Sequence, residues 1–124
     1  MEESQLLKGI LEGCVLTIIA VGETYGYEII SVLADYGFKD IQDGTLYPVL
    51  TRLEKRKLII CRIGKSPYGP KRKYFSISEE GSEYLEQFKR IYLDITKRAN
   101  DIILGDDLAK KSNRKGEMYE EKSN

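Results

Sequence analysis

The sequence contains no histidine, and its two cysteines, Cys14 and Cys61, are far apart in the chain. Histidine is the commonest general base and metal ligand, and structural zinc sites need several ligands at short spacing. The composition therefore argues against a zinc site and against hydrolases built on Ser-His or Cys-His pairs. We expect no metal and no cofactor, and we interpret the two cysteines as small buried hydrophobes rather than a disulfide.

Long apolar runs are also missing. No stretch approaches the roughly 18 apolar residues that a membrane span needs, and the N-terminus has no signal-peptide pattern. We expect a cytoplasmic protein with no membrane association. A chain of 124 residues can bury one small core but not two ordinary ones. Because Glu79, Glu80 and Glu83 read as first-turn helix charges and no nucleophile and base form a pair, we do not expect an enzyme.

The formal net charge is zero, but the charges are unevenly distributed. Net charge is −6 over residues 1–51, +8 over residues 52–73 and −2 over residues 74–124. A phosphate backbone responds to the local potential rather than to the total. The basic middle segment therefore indicates a nucleic-acid-binding surface within a neutral chain.

Residues 43–53 combine an apolar stripe with a polar face. Apolar side chains recur at i, i+3, i+4 and i+7 from Leu46, as on one side of a helix. The opposite side carries Tyr47, Thr51, Arg52 and Lys55. The pattern predicts a recognition helix in the DNA major groove, and the alternative is an amphipathic helix whose polar face is merely solvated. Proline favours the first helical turn, so Pro48 should set the start near Thr45, or else leave a distorted turn from Asp43.

Two further helices should precede this one. Paired apolar residues every four positions predict a helix over residues 4–21, although a strand also fits the composition of its second half. A shorter helix should follow, capped by Thr24 and ended by Gly37. Residues 38–42 form a short connection to the recognition helix. Two short helices joined in this way make a helix-turn-helix.

Beyond the recognition helix, the sequence predicts a β-hairpin. Two β-rich runs, residues 58–63 and 73–77, flank a segment rich in glycine and proline, which predicts a long loop at the hairpin tip. A hairpin after a helix-turn-helix is a wing. Its cations would contact phosphates beside the groove, and they are Lys65, Lys71, Arg72 and Lys73. The alternative is a solvated turn whose charges keep an edge strand from pairing.

The C-terminal part predicts a long helix with a heptad seam. With Ser78 as its cap, the helix should end near Gly105 and be about 39 Å long. The seam consists of Leu85, Phe88, Tyr92, Ile95, Ala99 and Ile102. A helix this long overhangs so small a core, so we expect a homodimer whose interface also includes Leu7 and Leu11. Packing against the chain's own first helix is a compatible alternative.

The predicted organisation has three parts. Residues 1–78 form a winged helix-turn-helix domain, residues 79–105 a dimerisation helix and residues 106–124 a disordered tail. The fold class is thus mainly α with a small β-hairpin.

In this order, the motifs resemble those of the PadR family of bacterial transcriptional regulators, in particular its small members with one C-terminal helix. The resembling residues are 16–20 with Gly22, 25–29, 44–48 with Leu50 and Leu53, 58–59, and 69–75 with Glu80-Gly81. The resemblance implies a dimer that binds double-stranded DNA at pseudo-palindromic operators and usually represses. It also implies that Thr45, Tyr47 and the wing cations contact DNA.

The resemblance further implies a small aromatic or phenolic effector that releases the DNA. Some relatives sandwich planar ligands between tryptophans at the dimer interface. This chain has no tryptophan, so Phe88 or Tyr92 would have to serve instead.

We therefore predict a sequence-specific DNA-binding regulator. Thr45, Thr51 and Arg52 would read base edges, while Tyr47 and Lys55 would contact phosphate or sugar. The alternative is a winged helix that docks a protein partner without specific DNA binding, which the acidic N-terminal third would suit.

Overall fold

A computed structural model describes residues 2–67 and 69–108 of the chain. Its elements in order are α1 (Glu3–Leu7), α2 (Ile10–Val21), β1 (Thr24–Tyr25), α3 (Gly26–Asp35), α4 (Asp43–Lys55), β2 (Ile59–Ser66), β3 (Gly69–Ile77) and α5 (Glu79–Ile103). The predicted class, mainly α with a small hairpin and a long C-terminal helix, is confirmed. Most of the predicted disordered tail, from residue 109 onward, lies outside the described residues.

The first predicted helix exists but is interrupted. Lys8 and Gly9 separate α1 from α2, although both keep right-handed helical dihedral angles. Glycine in a helix interior costs about 1 kcal/mol relative to alanine, which favours a break at Gly9. Gly13 serves packing instead, because a Cβ there would overlap the ring of Phe88. The strand alternative for the second half is wrong.

Thr24 does not cap α3. It forms β1 with Tyr25 and pairs with Phe75 of β3. Its side chain is buried, and its hydroxyl donates to Glu28 Oε1 at 2.8 Å. The partner strand lies about 50 residues further on, so the local sequence carries no sign of this pairing. The predicted end of the helix is confirmed, because Gly37 follows it with a φ of 99°.

The recognition helix α4 begins at Asp43, after an extended Gln42. Pro48 therefore stands inside the helix, so the predicted start near Thr45 is wrong and the alternative start at Asp43 is the one observed. Because proline has no N–H, the carbonyl of Gly44 lacks its usual helical donor. Tertiary packing offsets that cost. The apolar stripe, Leu46, Val49, Leu50 and Leu53, is buried as predicted.

The sheet has three antiparallel strands in the order β1-β3-β2. The prediction of a long loop at the hairpin tip is wrong, because Ser66 pairs with Gly69 and only residues 67–68 lie between the strands. The register is irregular between Gly64 and Ser66. Pro70 is tolerated because it falls in this irregular part, away from the two residues of β3 that pair with β1.

One apolar cluster holds these elements together, running from Leu7 in α1 to Leu85 in α5. The predicted cap of α5 is confirmed, because Ser78 Oγ accepts a hydrogen bond from the Gly81 N–H at 2.9 Å. Ser78 Oγ also donates to the carbonyl of Lys57 at 2.7 Å. These contacts attach the start of α5 to the end of α4. The compact unit that contains the cluster extends through Phe88.

Helix α5 contains 25 residues, close to the predicted length. At 1.5 Å per residue it is about 38 Å long. Beyond Phe88 its residues belong to a second unit. Within the described part of the chain, no helix is both long and apolar enough to cross a membrane.

Candidate nucleic-acid interface

All five predicted contact residues of α4 lie on its exposed side: Thr45, Tyr47, Thr51, Arg52 and Lys55. With about 100° of rotation per residue, Tyr47 falls on one edge of that side and Thr45 and Arg52 on the other. Thr51 and Lys55 lie between the two edges. The structure thus divides the predicted site into a centre and two flanks with different neighbours.

Thr45 and Arg52 face the N-terminal helix. Together with Val49 they line an open cavity of about 600 Å³, whose other walls are α1 and residues 38–41. Its rim carries both signs of charge, from Glu2, Glu3, Lys8 and Asp40. Thr45 and Arg52 therefore lie next to α1 and residues 38–41. The sequence alone does not predict these neighbours.

Thr51 has a restricted hydrogen-bonding role. Its hydroxyl donates to the carbonyl of Tyr47 at 2.9 Å, one turn earlier in α4. With its proton used inside the helix, the exposed oxygen can only accept. In a major groove, it would therefore suit the amino group of adenine or cytosine.

Tyr47 lies against the start of α3. Its side chain is 41% exposed, and a Cβ built on Gly26 would be only 2.8 Å from its hydroxyl oxygen. Gly26 thus leaves the space that the phenol occupies. Gly26 belongs to the resembling stretch 25–29, and Tyr47 is a predicted DNA contact. The sequence does not predict that these two residues touch.

The four predicted wing cations lie on strands rather than in a loop. Lys65 is in β2, and Lys71, Arg72 and Lys73 are in β3. Since side chains alternate along a strand, Arg72 points to the opposite face from Lys71 and Lys73. The lysines are exposed, whereas Arg72 is half-buried, with its guanidinium 4.0 Å from the ring centroid of Tyr25.

Two arginines of the basic segment are held by acidic residues from the N-terminal third. Arg62 Nε donates to Glu23 Oε2 at 2.7 Å, and its Nη2 donates to the other carboxylate oxygen. This hydrogen bonding lowers the pKa of Glu23. Arg56 Nη1 lies 3.3 Å from Glu12 Oε1. Sequence reasoning counted both arginines toward a nucleic-acid surface, but the structure uses them in contacts between its own elements.

Arg56 also joins α4 to α5. Its guanidinium lies 4.7 Å from the ring centroid of Tyr84, and its Nη1 donates to the Tyr84 hydroxyl at 3.4 Å. That hydroxyl in turn donates to Glu12 Oε1 at 2.8 Å. The contact with Tyr84 is the largest cause that raises the pKa of Arg56. Three helices are thus tied together where the recognition helix ends.

The predicted dimer-interface residues divide into two groups. Leu7, Leu11 and Leu85 are only 8%, 5% and 4% exposed, because they pack in the core of the single chain. Little of their surface is left for a second copy, and their role at a dimer interface stays a prediction. Phe88 packs on Gly13, as the alternative of packing on the first helix anticipated.

The remaining four seam residues lie in the second unit. Tyr92, Ile95 and Ile102 are exposed, and Ala99 is half-buried. Their role in a dimer stays a prediction.

The described residues show no cluster of three metal-ligand side chains. Cys14 and Cys61 are half-buried free thiols, and burial raises the pKa of each. A raised pKa keeps a thiol protonated and unreactive at neutral pH.

The two helices joined by a short connection, the following hairpin and the long last helix define a winged helix-turn-helix protein. The sequence model described as the "Transcriptional regulator PadR-like family" matches residues 15–87, more than half of the chain. The chain belongs to this family, as its motifs indicated. It is accordingly a transcriptional regulator and not an enzyme.

Solved structures of similar proteins agree. A PadR-like transcriptional regulator from Bacillus cereus is 44% identical, with a TM-score of 0.73 over 83% of this chain and 100% of that one. A Streptococcus transcriptional regulator is 46% identical, with a TM-score of 0.71 over 81% and 98% of the two chains. Bacillus subtilis PadR, solved in complex with operator DNA, is 21% identical, with a TM-score of 0.58 over 64% of this chain and 45% of that one. The last similarity concerns the fold alone.

Proposed function

We propose that this protein is a homodimeric repressor that acts in the cytoplasm by binding a pseudo-palindromic operator. The observation that carries the proposal is the exposed polar side of α4 beside a hairpin bearing Lys65, Lys71, Arg72 and Lys73. Bacillus subtilis PadR, which shares the fold, was solved with operator DNA and supports the same kind of partner here.

In this proposal α4 lies in the major groove. Thr45, Thr51 and Arg52 read base edges, with Arg52 suited to a bidentate contact with guanine and Thr51 to an amino group. Tyr47 and Lys55 contact sugar or phosphate. The wing cations bind the flanking backbone, which contributes affinity and register without reading sequence.

The proposed dimer uses apolar surface that the single chain leaves exposed. In the second unit, Ile91, Ile95 and Ile102 are each more than half exposed. In the first unit, Leu6 and Val21 are 70% and 88% exposed. Such exposed apolar side chains are candidates for burial against a second copy of the chain. A twofold-symmetric dimer would present two copies of α4 to two half-sites.

Selection of bound sequences from a random DNA pool tests this function. We expect enrichment of an inverted repeat whose half-sites are centred about 10 base pairs, or a multiple of that, apart. Sedimentation equilibrium should give twice the chain mass of 14.2 kDa. Enrichment of no sequence would favour the protein-interaction alternative, and a direct repeat would contradict the twofold arrangement.

An effector that releases the DNA remains part of the proposal. Phe88 is half-buried against Gly13, which leaves less of its ring for a planar ligand. Tyr92 is 43% exposed and is the better candidate. Titration of the DNA complex with small phenolic acids, with Tyr92→Ala as the comparison, tests this part.

A further inference from the structure

The outer face of the sheet carries a row of two tyrosines with an arginine at either side of the pair. The guanidinium of Arg72 lies 4.0 Å from the ring centroid of Tyr25. The Tyr25 ring also meets the ring of Tyr74 edge to face, with centroids 6.0 Å apart. Arg62 lies 4.5 Å from the centroid of Tyr74 and is held in turn by Glu23. Arg72 thus belongs to an ordered row of side chains.

Tyr25 is well suited to hold another side chain in place. Its backbone pairs with Tyr74 in the sheet, and it is also the extended residue that precedes α3. It therefore lies where the helix-turn-helix joins the hairpin. A ring fixed at this junction has a defined position relative to both elements.

A guanidinium held over an aromatic ring, as Arg72 is over Tyr25, can still bind a phosphate. Stacking on a ring uses the face of the planar group, whereas its N–H donors lie in the plane and point outward. An arginine held this way can still form the bidentate contact that phosphate favours. Its side-chain entropy has already been reduced before binding, so less is lost in the complex. Lys71 and Lys73 are exposed, and no aromatic ring of the described residues holds either of them in this way.

We propose that Tyr25 is a positioning residue that orients Arg72 for contact with a DNA phosphate and does not itself touch DNA. This role rests on the proposed function, in which Arg72 binds the DNA backbone. Under this proposal, two neighbouring residues have different roles. Gly26 leaves room for Tyr47, and Tyr25 holds Arg72 of the wing.

A double-mutant cycle between Tyr25 and Arg72 tests the proposal. The full chain is titrated onto a labelled mixed-sequence duplex of about 30 base pairs, which is long enough for two half-sites and needs no known operator. Fluorescence anisotropy gives the dissociation constant over a range of salt concentrations. The variants are Tyr25→Leu, Tyr25→Phe, Arg72→Ala and the Tyr25→Leu/Arg72→Ala double variant. Lys73→Ala, alone and with Tyr25→Leu, is the matched control for an unstacked wing cation.

The expected results follow from the stack. Both chains of the proposed dimer carry the substitution, so Arg72→Ala should weaken binding at least about tenfold and reduce the salt slope by about 1.8, the loss of one phosphate contact per chain. Tyr25→Leu should weaken binding about three- to tenfold in the parent but less than twofold in the Arg72→Ala background, since the residue it positions is gone. Its effect should persist in the Lys73→Ala background. Tyr25→Phe keeps the ring face and should stay within about twofold of the parent.

Different failures have different meanings. Equal weakening by Tyr25→Leu with and without Arg72 would show a general structural effect and overturn the positioning role. Loss of affinity in Arg72→Ala but not in Tyr25→Leu would also overturn it. An unchanged dissociation constant in Arg72→Ala would refute the phosphate contact itself, and no binding by the parent even at low salt, where nonspecific attraction to phosphate is strongest, would contradict the proposed function.

Discussion

The recognition helix and the wing together contain most of the basic segment, residues 52–73. Different kinds of interaction hold the two elements in place. Helix α4 is anchored by four buried side chains, Leu46, Val49, Leu50 and Leu53. The outer half of the hairpin is instead held by surface contacts, among them the stack of Arg72 on Tyr25 and the pair of Arg62 with Glu23. The orientation of α4 should therefore depend on the stability of the core. Substitutions in the wing should therefore be able to change DNA binding without unfolding the protein.

Truncation in the stripe of α4 should have the largest effect on stability. Leu50 is 2% exposed, so Leu50→Ala removes packing and leaves a cavity, lowering the free energy of unfolding by about 2–5 kcal/mol. Ile60→Ala, on the exposed face of β2, is the matched control and should change it by less than about 1 kcal/mol. Urea unfolding measures both. Equal losses would contradict the contrast between the two regions.

Charge reversal on the wing should have the largest effect on binding. Replacing Lys71, Arg72 and Lys73 with Glu should abolish DNA binding, because phosphate attraction becomes repulsion, while dimer mass stays unchanged. Sedimentation and anisotropy titration measure the two quantities. Lys97→Glu, in the second half of α5, is the control and should alter binding only slightly. Unaltered binding by the triple variant would refute the wing assignment.

Features that depend on nearby residues are predictable from the sequence, whereas features that depend on distant residues are not. Local periodicity identified α4 and α5, and the Ser78 cap and the Gly37 stop depend on neighbours within a few residues. Thr24 was misassigned because its strand partner, Phe75, is distant in the chain. Glycine and proline near the hairpin tip looked like a loop, but the pairing of Ser66 with Gly69 overrides that local preference.

The site shows the same limit. Periodicity showed which side of α4 is exposed, and all five residues predicted there are exposed. It could not reveal that Arg56 and Arg62 bind Glu12 and Glu23, because each pair joins residues about 40 apart. Periodicity also could not reveal that Leu7 and Leu11 pack in the chain's own core. A wide apolar stripe does not say which part of it the chain's own core buries.

A smaller effect on DNA binding should result from a substitution at Gly26, which lies next to Tyr47 of the recognition helix and follows Tyr25, the pairing partner of β3. In Gly26→Ala the new Cβ would come too close to the Tyr47 hydroxyl, so the phenol must turn away. We expect DNA binding to weaken about three- to tenfold, with little loss of stability because alanine is a good helix residue. The control is Gly26→Ala combined with Tyr47→Phe, which removes the crowded oxygen. If Gly26→Ala weakens binding equally in both backgrounds, the hydroxyl contact is not the cause.

The smallest expected effect concerns the pair of Arg62 and Glu23 on the sheet. Hydrogen bonding to Arg62 lowers the pKa of Glu23 below its ordinary value of 4.5 in the folded chain. A carboxyl with a depressed folded pKa stabilises the fold above its unfolded pKa, and that contribution disappears as pH falls through the folded value. The difference in unfolding free energy between the parent and Glu23→Gln should therefore be small near neutral pH and shrink below about pH 4.5. Urea unfolding of both proteins across this range measures it. A difference that grows as pH falls would mean that the pair does not stabilise the wing through the ionised carboxylate.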